Sequence, residues 1–179
     1  MPRPTARRLL GIAVPLLLVS VVVARMLSGG GERRLVDAEG RRLFVADGDT
    51  LRIGDETIRL AGLDAVERDQ FCLDAAGASW SCGESARGAL AALVAPGGLS
   101  CTTIERDRYG RTVARCKVAH GGDVGAAMVA AGWAMADDPG YAAEQQAARG
   151  ARRGIWAGTF ERPSVWRERN RMVPKTIHE

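Results

Sequence analysis

Residues 42–63 read RLFVADGDTLRIGDETIRLAGL, and their pattern decides the fold. Arg42 to Ala46 alternates in the two-residue period of a half-buried strand. Asp47-Gly48-Asp49 is a turn signal, after which Thr50 to Ile53 is extended again. Gly54-Asp55 is a two-residue hairpin turn, and Glu56 to Leu63 returns as the partner strand. With the turn at Gly54-Asp55, Arg59 lies opposite Thr50 and Leu60 lies opposite Asp49. Asp64 follows at the same end, with Glu67 three residues on. The hairpin therefore gathers Asp47, Asp49, Asp64, Glu67 and one guanidinium within a short distance.

Downstream, Asp64 to Ser81 has no clean period and reads as a long loop. Ser81 with Glu84 fits a capping box and opens a helix through about Ala95. Leu99 to Ile104 and Arg111 to Val118 form a second hairpin around the turn Asp107-Arg108-Tyr109-Gly110. Gly125 to Ala136 (GAAMVAAGWAMA) is nearly all apolar and reads as a core helix. Tyr141 to Gly154 is an amphipathic helix that runs into Ile155 and Trp156. The pattern predicts an α+β domain over 39–160, a five-stranded OB-type β-barrel with about three packed helices. Residues 161–179 read as a polar, proline-containing tail, with Trp166 as the side chain that could dock back.

Upstream, Leu9 to Ala24 (LLGIAVPLLLVSVVVA) carries no charge over sixteen positions and follows Arg3, Arg7 and Arg8. At about 1.5 Å per residue it reaches roughly 24 Å, short of a hydrocarbon core of about 30 Å unless Met26 and Leu27 extend it. Residues 1–27 are expected to be either an uncleaved single-pass anchor or a signal segment. Residues 28–38 read as a flexible linker. Either reading sends the domain to the periplasmic or extracellular side, as a membrane-tethered or secreted protein.

The four cysteines, at 72, 82, 101 and 116, all follow the apolar segment and allow three pairings. A four-residue turn at 107–110 places Cys101 opposite Cys116, within disulfide reach. Cys72 is left to pair with Cys82. Zinc is the rival reading, but neither pair has CxxC spacing and no histidine lies nearby. Two disulfides and an export signal agree on an oxidising compartment.

Composition narrows the chemistry. The 179-residue chain has a net charge of +4, and lysine occurs only at Lys117 and Lys175. Arginine binds phosphate bidentately, which suits an anionic polymer; a general arginine bias is the plainer explanation. The only histidines are His120 and His178, too few for a histidine-rich metal enzyme. No phosphate-binding GxxxxGK[ST] loop and no GxSxG elbow is present, so no nucleotide cofactor is expected. Chemistry falls to carboxylates and arginines. Clustered carboxylates raise one another's pKa unless a cation neutralises them, and calcium accepts mixed carboxylate, carbonyl and water ligation. Against this, acidic residues favour turns for local backbone reasons.

Asp47-Gly48-Asp49-Thr50, Ile58-Arg59-Leu60, Gly62-Leu63-Asp64-Ala65-Val66-Glu67 and Asp107-Arg108-Tyr109-Gly110-Arg111 resemble, in order and spacing, the staphylococcal-nuclease (thermonuclease-like) family. The resemblance runs from about Leu43 to Trp156. It implies that Asp49, Asp64 and the backbone carbonyl of Ala65 would ligate Ca2+, with Asp47 and Thr50 supporting them. Glu67 would act on the attacking water, Arg59 and Arg111 would bind the phosphate, and Arg108 and Tyr109 would contact a terminal phosphate. Arg108 stands where the family has a lysine. Ala65-Val66 stands where the family commonly has threonine or alanine followed by proline. Valine removes a fixed φ just before Glu67.

The implied function is calcium-dependent, low-specificity hydrolysis of DNA and also RNA by a monomeric catalytic domain. A non-catalytic OB-type module that binds nucleic acid or another polyanion is the alternative. An anchored structural protein, in which the acids are incidental, is a third reading. Trp80 is the aromatic singled out for base stacking, whereas Trp133 and Trp156 read as core.

Overall fold

The computed structural model describes residues 40–119 and 122–172. The expected anchor or signal segment and the whole of the expected linker lie outside them. Among the described residues no helix is long and apolar enough to cross a membrane.

The hairpin at Gly54-Asp55 forms as its pattern requires. Strand β2 (Thr50–Ile53) pairs antiparallel with β3 (Glu56–Leu60), with Thr50 opposite Arg59, and the Leu60 amide donates to the Asp49 carbonyl at 2.8 Å. Strand β1 (Leu43–Val45) adds to β2, and β3 runs parallel to β8 (Thr112–Val118), which pairs with β7 (Ser100–Arg106). The resulting sheet is an open, curled half-barrel, with the short β9 (Gly122–Asp123) paired to β8. The expectation of a five-stranded OB-type barrel is thus met in part. Leu51, Leu60, Leu90 and Met128 fill its concave side with almost no exposure. Burying each such side chain contributes about 1.5–3 kcal/mol.

The second hairpin reaches the expected pairing by another path. Its loop spans 107–111, because Arg106 pairs with Thr112, and a bulge between Thr103 and Glu105 restores the register. Cys101 and Cys116 are consequently opposed and joined, and a second disulfide joins Cys72 to Cys82.

Four expectations are corrected. The loop 64–81 contains strands: β4 (Leu63–Ala65), and β5 (Cys72–Leu73) paired with β6 (Ser79–Trp80). Helix α1 (Cys82–Val94) starts at Ser81, but the Ser81 side chain makes no capping bond; Glu84 is drawn instead to Arg68 and Arg87. The apolar run 125–136 divides into helix α2 (Val124–Ala130) and strand β10 (Ala134–Ala136). Gly132, with φ of +78°, ends α2, and its missing side chain admits the Arg153 carbonyl. Strand β10 then covers β4, with Met135 opposite Asp64. An all-apolar run carries no period, so composition alone could not separate helix from strand. Helix α3 (Ala142–Gly150) is flanked by 3-10 turns at Pro139–Tyr141 and Gly154–Ala157.

The fourth correction bears on function. Within the expected tail, Pro163–Met172 is helix α4. Its approach is pinned to the disulfide-closed loop, since Leu73 and Thr159 exchange backbone hydrogen bonds at 2.9 and 3.0 Å. A second, smaller core lies there, built on Val66, Cys72, Cys82, Ala86 and Ile155 with Trp80, Trp133 and Trp156 packed against it. Trp80 meets Trp133 edge-on at 6.2 Å, so the aromatic singled out for base stacking packs in this core.

Candidate active site

The turn before β2 places Asp49 inside the protein. Gly48 has no room for a side chain, because a Cβ there would press on Ala65 and Ala86. The chain can therefore pass close enough to β4 to leave Asp49 only 3 % exposed. A buried carboxylate requires partners. Asp49 accepts from Arg59 Nη1 at 2.6 Å, the Thr50 hydroxyl at 3.0 Å and the Ala65 amide at 3.0 Å. The Asp49 amide donates to Asp47 Oδ1 at 3.0 Å, which fixes the turn from behind.

Arg59 is the hinge of the cluster. Its second nitrogen donates to Asp64 Oδ1 at 2.8 Å, so a single guanidinium bridges Asp49 and Asp64. The hairpin register explains this, since Arg59 on β3 sits opposite Thr50 and five residues before Asp64 on β4. Burial opposes its charge, but Asp49 and Asp64 hold its pKa above the usual arginine value. Burial pushes Asp49 up to about 7, with Arg59 pulling it down and Asp47 adding to the rise. Burial likewise raises Glu67, against the pull of Arg167.

Arg167, on α4, has no counterpart in the sequence reading. Its Nη1 donates to Asp64 Oδ1 at 2.8 Å and Glu67 Oε1 at 2.7 Å, and its Nη2 to Asp64 Oδ2 at 3.1 Å. Both oxygens of Asp64 thus face arginine nitrogens, and the Asp64 contact is the main cause that raises the Arg167 pKa. The separation of 103 residues from Asp64 hid the contact. The available signals were Pro163 at the start of a helix and a charged face continuing past Trp166.

Gln70 joins these parts. Fully buried, it accepts from the Glu67 amide at 3.1 Å through its side-chain oxygen and donates to the Glu161 carbonyl at 2.6 Å. It therefore fixes both the Glu67 segment and the entry to α4. Gly83 admits the same segment from below, because a Cβ there would collide with the Glu67 and Arg68 carbonyls.

Arg111, Arg108 and Tyr109 stand across a groove of about 960 Å³ from α4, a groove that Arg59, Glu67 and Asp47 also line. Arg111 is not bonded to the acidic cluster: its Nε donates to Asp107 at 2.7 Å. Arg108 and Arg111 lie over the Tyr109 ring at 4.9 and 5.6 Å. The structure thus joins Asp49, Asp64, Thr50, Asp47, Arg59 and Glu67 in one network and sets Arg108, Tyr109 and Arg111 at the opposite wall.

No three His, Cys, Asp or Glu side chains among the described residues are grouped to hold a metal ion by themselves. Asp49 and Asp64, bridged by one guanidinium, offer only oxygen donors. That set fits calcium, which completes its shell with carbonyls and water. Arg167 would have to yield part of Asp64 to such an ion.

Residues 57–158 match the family described as "Staphylococcal nuclease homologue". The chain is 42 % identical over 117 residues to the "Succinoglycan biosynthesis protein ExoI" of Rhizobium meliloti (strain 1021), covering 63 % of this chain and 61 % of that protein. The chain thus spans less than two thirds of that relative. It is also 32 % identical over 143 residues to an "Uncharacterized endonuclease" of Escherichia coli O157:H7, covering 74 % of this chain and 87 % of that protein. An "Uncharacterized endonuclease" of Escherichia coli matches equally.

Proposed function

This chain belongs to the family of staphylococcal nuclease homologues, and from that premise we propose that it is a calcium-dependent nuclease cutting DNA and RNA with little sequence preference. The supporting observation is the site itself: Arg59 bridges Asp49 and Asp64 while Glu67 opens on a groove lined largely by arginines. A module that only binds polyanions gains nothing from acids on that surface.

Arg59 and Arg111 would hold the non-bridging oxygens of the scissile phosphate, the charge-assisted contact guanidinium makes best. Glu67, its pKa raised by burial, would take a proton from the attacking water as its oxygen bonds to phosphorus. As the bond from phosphorus to the leaving oxygen breaks, that oxygen would take a proton from solvent. Calcium on Asp49, Asp64 and the Ala65 carbonyl would supply charge neutralisation at the phosphate. Asp47 and Thr50 would keep the ligands oriented. Contacts to backbone phosphate carry no base information, hence the low specificity. The domain would act as a monomer outside the cytoplasm, anchored by residues 1–27 or released by cleavage there; the two disulfides support an oxidising compartment.

The test is incubation of the oxidised full chain with DNA and with RNA, first with calcium and then with chelator. Fragments that appear only with calcium are expected. One observation favours the binding-module reading, namely that Arg167 neutralises Asp64 and Glu67. Folded protein that binds nucleic acid yet leaves it intact would establish that reading.

A further inference from the structure

Helix α4 lies beyond residues 57–158, the part of the chain that matches the family, yet it reaches the site. We propose that α4 is the second wall of a groove for single-stranded nucleic acid, with Trp166 and Tyr109 stacking bases and Arg167 and Arg171 holding phosphates. The inference deepens the nuclease reading and rests on it.

Helical spacing supplies the wall. Ser164, Arg167 and Arg171, with Trp166 and Asn170 beside them, fall at three- and four-residue intervals and all line the groove. Arg169 turns away and pairs with Glu161 at 2.8 Å. The helix is held there by Gln70, by the Leu73–Thr159 bridge and by Arg167 itself. Six arginines and three acids line the groove; four of the arginines pair with carboxylates, which leaves Arg108 and Arg171 without an ion pair among the described residues and open to phosphate. Two aromatics complete it. Tyr109 is 64 % exposed on one wall, and Trp166 lines the groove from α4 while Trp80, Trp133 and Trp156 pack in the smaller core. Aromatic platforms beside an arginine track are how single strands are held, because only unpaired bases present free faces. A duplex offers phosphates but no base faces.

Arg167 links the groove to the chemistry. Its guanidinium now satisfies Asp64 and Glu67. A strand in the groove offers it a phosphate instead, and transfer of Arg167 to that phosphate frees the Glu67 carboxylate.

Binding is measured with the oxidised full chain in chelator, by anisotropy of a fluorescein-labelled oligothymidylate and of a duplex of similar length. Single-strand binding tighter than duplex binding is expected. Trp166→Ala and Arg171→Gln should each weaken single-strand binding by about tenfold, Trp166→Phe should recover most of that loss, and Arg169→Gln should change nothing. Equal or tighter duplex binding, or single-strand binding unmoved by Trp166→Ala and Arg171→Gln, overturns the proposal. Should calcium-dependent cleavage persist in that case, the nuclease reading survives alone. Trp166-dependent binding in a protein that cleaves neither DNA nor RNA supports the groove and overturns the nuclease.

Discussion

Arg59 and Asp49 form a pair that holds the fold and, in the proposed function, would also serve the chemistry. Removing Arg59 would leave Asp49 buried without its cation, a loss of about 3–5 kcal/mol for a buried pair of this kind, while Asp64 keeps Arg167. Arg59→Ala is therefore expected to lower the chelator-state melting temperature markedly and to cut the cleavage rate by about 10² to 10³. Chemical denaturation and single-turnover kinetics read the two effects separately. Asp49 also makes stability depend on pH. Burial raises its folded pKa from 3.8 to about 7. Its contribution is thus fully present below the unfolded value and is lost as pH rises through the folded one. In chelator, the wild type should lose stability relative to Asp49→Asn between those two pH values. A difference that stays constant across the window would contradict this account.

Strands, turns and helices were legible where local chemistry decides. Gly54-Asp55 set the first hairpin, and its register alone brought Arg59 to Asp49 and Asp64. The Cys101–Cys116 pairing was also legible, although the bulge near Ile104 and a five-residue loop replaced the simpler four-residue turn. Two things were hidden. The strand Ala134–Ala136 lay inside an apolar run without period, and its partner β4 is distant in sequence. Helix α4 looked like a polar tail because what folds it back is tertiary: Gln70, Thr159 and Arg167. The same logic gives a test at Gly83, where α1 passes beneath Glu67. Gly83→Ala must push the Glu67 and Arg68 carbonyls away, so the cleavage rate should fall far more than calcium affinity does. Equal falls in both would show that the substitution damages the whole fold instead.

The molecule is organised so that its disulfide-closed loop carries its C-terminal extension. Cys72–Cys82 closes the loop that pairs with Thr159, and from there the chain enters α4 and reaches the carboxylates through Arg167. Replacing Cys72 and Cys82 together by alanine should therefore loosen α4 as well as cost about 2–4 kcal/mol of stability. Hydrogen exchange is expected to quicken in 163–172 more than in the β2–β3 hairpin; uniform quickening would contradict the coupling. In the proposed function the groove is the place of hydrolysis and Glu67 its base. The direct measurement is single-turnover cleavage of DNA by the oxidised full chain and by Glu67→Gln, both with saturating calcium. Glu67→Gln is expected to bind DNA like the wild type while cleaving at least about a hundredfold more slowly. Cleavage by Glu67→Gln at the wild-type rate would contradict it.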